Sequence, residues 1–202
     1  MQGMKKIMFN SKYGLDKAVL EGMKTMTRRI IPNRVEVRES GYNACGFCDE
    51  NDRDVKPVYK VGEVIAIAQS YRSIESYLPL YMKEEYDGYS ECLDISFKTS
   101  AGWDNKMFVK ARLMPWAIKI TNVKVERLQD ITSEDCLKEG IFKHISHAKV
   151  YYMHEGIGNY FFETPRHAFA SLIDRVSGKG MWESNPWVWV YEFELTDNPN
   201  KS

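Results

Sequence analysis

The sequence carries no excess charge of either sign: 28 Lys and Arg stand against 28 Asp and Glu in 202 residues. That balance excludes the broad electrostatic footprint that long duplex nucleic acid requires. It still allows a local basic cleft for one nucleoside or a short single strand. The sequence also lacks any run of 18 apolar residues, so no transmembrane helix is expected. Met1 to Asn10 has Lys5 and Lys6 but no long apolar stretch after them, so no signal peptide is expected either. A cytoplasmic location follows as the expectation, with the four cysteines reduced.

Cysteine and histidine are too sparse for the usual metal patterns. Cys45 and Cys48 form one Cys-x-x-Cys, but Cys92 and Cys136 stand alone, so half of a zinc ribbon is missing. The polar surroundings, Glu39 to Asp54, read as loop rather than as a redox helix start. His144, His147, His154 and His167 lack tight ligand spacing, although His144 and His147 at i, i+3 could share a helix face. No metal and no cofactor is expected.

What the chain does have is hydrophobic content of 44% and aromatics at 13%, enough for one domain over residues 1–202 with a filled core. Lys5 to Asn10 reads as a first strand. Leu15, Ala18 and Val19 fall on one helix face, and Gly22 follows where a C-terminal glycine belongs, so Gly14 to Glu21 reads as a helix. Met23 to Thr27 is then a turn, and Arg28 to Ile31 a strand stopped by Pro32. Val64 to Ala68 is an unbroken apolar run, which suggests a strand buried on both faces and covered on its outside.

Trp116 to Gln129 is a long strand whose apolar parity switches at Thr121-Asn122, which points to a β-bulge or to a strand that bends around a barrel corner. Thr132 looks like the N-cap of a helix running to about Glu139 and ended by Gly140. Thr164-Pro165 opens a helix with a full stripe at Phe169, Leu172, Ile173 and Val176. In the last strand Trp187, Trp189, Tyr191, Phe193 and Leu195 share one face, which puts both tryptophans in the core. Arg72 to Asn105 and His144 to Gly158 show no clean period and read as insertions. Strands and helices do not alternate regularly, so the expected class is α+β: a closed or nearly closed mixed barrel with peripheral helices.

Two features carry chemistry. Gly22 to Arg29 sends Lys24, Thr25, Thr27, Arg28 and Arg29 out of a helix end together. Spacing alone also fits a solvated polar turn, which the helix dipole favours. Glu139 is the second. It places a carboxylate at the unfavourable end of a helix dipole, and a broken local rule points to function. Trp116, Trp182, Trp187 and Tyr71 are candidates for stacking on a base.

Gly22-x-Lys24-x-x-Thr27-x-Arg29 resembles the signature of the ASCH family, Gly-x-Lys-x-x-Glu/Thr-x-Arg. Further segments resemble phage and bacterial ASCH proteins in the same order: Tyr59 to Val64, Met114-Pro115-Trp116, Val125 to Ile131, Glu134-Asp135, Glu139-Gly140-Ile141 and Asn185 to Val190. The resemblance spans about Lys5 to Leu195. It implies a PUA-like barrel, two insertions at about 72–105 and 144–158, and RNA or a modified nucleoside as partner, with no membrane and no stated oligomeric form.

One small branch of the family hydrolyses N4-acetylcytidine to cytidine and acetate. Carried onto matching positions, its catalytic residues become Lys24, Thr27 and Glu139. Arg29, Gly22 and Trp116 are the expected ligand-binding residues. Thr27 would be the nucleophile, Lys24 its base if burial lowers the lysine pKa, and Glu139 an orienting or proton-shuttling group. The alternative is a non-catalytic RNA- or nucleotide-binding module using the same cleft. A third reading is a mobile-element factor whose insertions bind a host protein.

Overall fold

The structure is a computed structural model that describes residues 3–31, 36–37, 47–48, 54–77, 98–156 and 160–199. Among the described residues there are ten strands: β1 (Lys6–Ile7), β2 (Met26–Ile30), β3 (Glu36–Val37), β4 (Phe47–Cys48), β5 (Asp54–Val55), β6 (Val64–Ile67), β7 (Trp116–Arg127), β8 (Phe142–Ser146), β9 (Lys149–Met153) and β10 (Trp187–Asp197). The α-helices described are α1 (Leu15–Leu20), α2 (Ser133–Lys138), α3 (Pro165–Ser177) and α4 (Met181–Ser184).

Five strands make the main sheet in the order β1-β6-β7-β10-β2. The β1–β6 pair is parallel and the rest are antiparallel, so the chain is a mixed α+β protein. No ladder joins the outer strands β1 and β2 among the described residues. They are linked instead by the Arg29 side chain, whose Nη2 donates to the Met8 carbonyl just beyond β1 at 2.8 Å. A pair of small sheets, β3-β4-β5 and β8-β9, completes the strand inventory. No helix among the described residues is long and apolar enough to cross a membrane.

The double-faced burial of β6 has a clear physical basis. Ile65 and Ile67 enter the main core with Ile7, Ile118, Val190 and Phe169. Ala66 and Ala68, on the opposite parity, enter a second cluster with Tyr71, Ile74, Val109, Leu113 and Met114. Tyr71, Ile74, Val109, Leu113 and Met114 therefore cover the outside of the strand; of the segment read as an insertion, residues 78–97 lie outside the described residues. Small alanines on that face let the cover approach closely.

In β7, Asn122 pairs with Glu192 while Ile120 pairs with Phe193, so Thr121 is the extra residue of a bulge, as the parity switch requires. The helix caps form as expected. Thr132 Oγ1 accepts from the Asp135 N–H at 3.0 Å, and Thr164 Oγ1 from the His167 N–H at 3.2 Å. These side chains satisfy first-turn amides that have no partner inside the helix.

Several expectations change. β2 begins at Met26, so Met26 and Thr27 belong to the strand and not to the preceding turn. Within the segment read as an irregular insertion, residues 144–153 are regular, because β8 and β9 form a tight hairpin, while 157 and 158 lie outside the described residues. Its two-residue turn, His147-Ala148, has positive φ at both positions, 50° and 62°. Such turns usually carry Asn-Gly, so the sequence signal was absent. His144 and His147 accordingly lie on a strand and a turn, not on a helix face.

β10 also differs. Val188 and Val190 are fully buried along with Tyr191 and Phe193, whereas Trp187 and Trp189 are only partly buried. The buried parity thus switches between Val190 and Tyr191, so no single parity defines the core side of this strand. Of the Cys-x-x-Cys, Cys45 lies outside the described residues, while the Cys48 backbone sits in β4 rather than in loop.

Candidate active site

The site forms where α1, β2 and the end of α2 meet. Gly22, at φ 73°, lets the chain reverse after α1, and the Lys24 N–H then donates to Ala18 O at 2.9 Å. The Thr25 N–H donates to Lys138 O, and Thr25 O accepts from the Phe193 N–H, each at 2.9 Å. The signature turn is thus clamped between helix α2 and strand β10. At this same C-terminal end of α2, Glu139 is the C-cap and Gly140 takes φ 99°, which turns the chain away and leaves the glutamate facing β2.

Lys24 and Glu139 meet as the sequence predicts. Lys24 Nζ lies 2.5 Å from Glu139 Oε2 and also donates to the Glu139 carbonyl at 2.8 Å. Both residues are almost fully inaccessible, at 2% and 4% relative exposure. Thr27 is 5% exposed. All three line one pocket of about 610 Å³, a size that suits a nucleoside-sized ligand. Its lining combines the cations Lys12, Lys24, Arg29 and Lys106 with the apolar Phe9, Leu15, Phe169, Leu172, Ile173 and Val176. The expected α3 stripe therefore does two jobs, since its four residues run from the core to the pocket wall.

Burial pushes the Lys24 pKa down. Glu139 opposes the shift, Arg29 and Arg28 add to it, and the net direction is downward.

The sequence reading missed Arg28 and its partners. Arg28 Nη1 contacts Glu139 Oε1 at 3.1 Å, Nη2 contacts Glu126 Oε1 at 2.5 Å and Asp135 Oδ2 at 3.1 Å, and Nε donates to Glu126 at 3.0 Å. Burial alone would lower its pKa, but Glu139 and Glu126 outweigh that and the net shift is upward. Two signals were available. Arg28 shares the strand parity of Met26 and Ile30, which face inward. Asp135 and Glu139 lie at i, i+4, where like charges repel unless a cation joins them.

Arg28 has a second feature. Its side chain is 1% exposed although the residue as a whole is 7% exposed, so its accessible surface is mainly backbone. Positions 25 and 31 bond to β10, hence so do 27 and 29 by alternation. The Arg28 N–H and C=O therefore face the open edge of β2.

Arg29 lines the pocket from the other parity. Its Nη2 is held by Met8 and its guanidinium lies 5.8 Å from the Phe9 ring centroid. Its Nε is buried without a hydrogen-bond partner, a rare condition that a ligand oxygen would relieve.

Gly22 and Trp116 are not brought to this pocket. Gly22 is an exposed turn residue with open space around its α-carbon. Trp116 packs against both apolar clusters and sits edge-on to Tyr77 at 4.9 Å. The other stacking candidates also lie elsewhere. Tyr71 is in the second cluster, Trp182 is edge-on to Phe169, and Trp187 lies under Arg127 at 4.2 Å. The aromatic rings lining the pocket are Phe9 and Phe169.

No family model, curated protein or solved structure matches the chain.

Proposed function

We propose that this chain is a PUA-like ASCH protein whose five-stranded sheet is the barrel of that family, left open at the β1–β2 seam, and that the pocket in the seam hydrolyses an acylated nucleoside such as N4-acetylcytidine. The observation that carries the reading is the 2.5 Å contact of Lys24 with Glu139 at the wall of a pocket that also holds Thr27. A planar base suits the apolar lining of Phe169 and Leu172, and the sugar hydroxyls suit the cationic side chains.

In this mechanism Thr27 Oγ attacks the acyl carbon while neutral Lys24 takes its proton. The Arg29 side chain, which lines the pocket, supports the developing oxyanion. Lys24 then gives the proton to the leaving amine, the C–N bond breaks, and an acyl-threonine ester remains. Water attacks that ester with Lys24 again as base, which releases the carboxylic acid and restores Thr27. The net reaction consumes one amide and one water and yields one amine and one acid.

The test is turnover of N4-acetylcytidine followed by chromatography of released cytidine. Lys24→Ala and Thr27→Ala are each expected to lose about 10²–10⁴-fold. Unchanged rates in both variants would overturn the mechanism.

The second reading, a non-catalytic RNA- or nucleotide-binding module, draws on the same contact: a charged Lys24 held by Glu139 is equally suited to ligand recognition. Absence of turnover across acylated nucleosides, with nucleotide binding weakened by Lys24→Ala, selects it.

A further inference from the structure

The hydrolase reading needs Lys24 to shed a proton beside a buried carboxylate, and the structure shows what makes that feasible. Glu139 divides its oxygens between two cations: Oε2 faces Lys24 at 2.5 Å and Oε1 faces Arg28 at 3.1 Å. Were Glu139 paired with Lys24 alone, its whole charge would favour lysinium. We propose that Arg28 is a positioning residue that fixes the Glu139 carboxylate and draws off its negative charge, so that Lys24 can act as a base inside the pocket.

The Arg28 side chain is 1% exposed, and its guanidinium is held among Glu126, Asp135 and Glu139. Its influence on chemistry must therefore pass through the carboxylates. The surrounding charges set how much of Arg28 is left for Glu139. From β7, Glu126 competes for Arg28 but is itself held by Lys124 at 2.9 Å. From α2, Asp135 competes at 3.1 Å and is in turn approached by Lys124 at 3.7 Å and Lys138 at 3.9 Å. Lys24 is faced by Glu139 from the end of α2, by Arg28 and Arg29 from β2, and by the Phe9 ring at 6.0 Å. Lys12 and Lys106 also line the pocket. Of the charged groups that act on Lys24, Glu139 is the anion and Arg28 and Arg29 are cations, and Arg28 neutralises Glu139 from behind.

The proposal rests on the hydrolase reading for its purpose but not for its test. Competitive labelling with acetic anhydride across pH, read by peptide mass spectrometry, reports the protonation of individual lysines. In Arg28→Gln the Lys24 labelling curve is expected to move to higher pH. Each pH unit of displacement lowers the neutral-pH labelling rate about tenfold. Arg28→Lys keeps the charge and is expected to bring the curve back toward that of the unaltered protein.

If Arg28→Gln does not accumulate folded, Arg28→Gln with Glu126→Gln withdraws one cation and one anion together and carries the same test. A curve that stays in place, or moves to lower pH, overturns the proposal. Where turnover is measurable, its alkaline-rising limb must move with the labelling curve, and a limb that stays put also overturns it. A displaced labelling curve without turnover in any form of the protein supports Arg28 and removes the hydrolase reading alone.

Discussion

Two buried centres cover the main sheet by opposite means. Outside β6, the cover is apolar: Ala66 and Ala68 pack against Tyr71, Ile74, Leu113 and Met114. Between β2, β7 and α2, a large part of the contact is ionic: Arg28 and Lys24 against Glu126, Asp135 and Glu139. The apolar centre gains from burial with no geometric demand beyond fit. The ionic centre must recover a desolvation cost, and does so only with its partners complete. A fold that needed only stability had a cheaper solution in the first design. The second is kept where a pocket opens, which is the pattern of a site shaped for function.

The sharpest way to break this contrast is to remove the cation. Arg28→Met leaves three carboxylates with too little counter-charge and is expected to cost about 3–5 kcal/mol, read as a lowered midpoint in urea unfolding. In the apolar centre, Met114→Ala creates a cavity and is expected to cost about 2–5 kcal/mol by the same measurement. The two differ in salt response: added salt leaves the apolar loss unchanged. Thr132→Ala removes the cap that orients α2 beneath the ionic centre and is expected to cost about 1 kcal/mol.

The smallest effect is the acid response of His154, which lies outside both centres. It is buried between Tyr13 and Phe162, with its Nε2 unpartnered. Burial lowers its pKa from 6.5, opposed by its hydrogen bond to the Glu155 carbonyl. The unfolded chain therefore binds more protons as pH falls below that value, and stability declines. Between pH 7 and 5.5 the unfolding midpoint is expected to fall less in His154→Phe than in the unaltered protein.

Much of the fold was legible. The Thr121 bulge, the Thr132 and Thr164 caps, the α3 stripe and the doubly buried β6 all follow from periodicity and capping chemistry, which act over a few residues. The meeting of Lys24 with Glu139, 115 residues apart, was reached through the ordered resemblance and not from pattern. The β8–β9 hairpin escaped because His147-Ala148 is an unusual pair for a turn with positive φ at both positions. Trp189 packs against the main core only half-buried, and Trp187 is half-buried too, because the core side of β10 passes from Val188 and Val190 to Tyr191 and Phe193 part-way along the strand.

Arg28 and Arg29 mark the boundary between the two kinds of knowledge. By itself the sequence determined that these neighbours on a strand point to opposite faces, because side-chain direction has period two. Only the tertiary structure decided that one face meets Glu126, Asp135 and Glu139 while the other opens on a pocket beside Met8 and Phe9. Local rules orient a side chain, but its partners come from segments about 100 residues away, and the packing of helices on the sheet selects them.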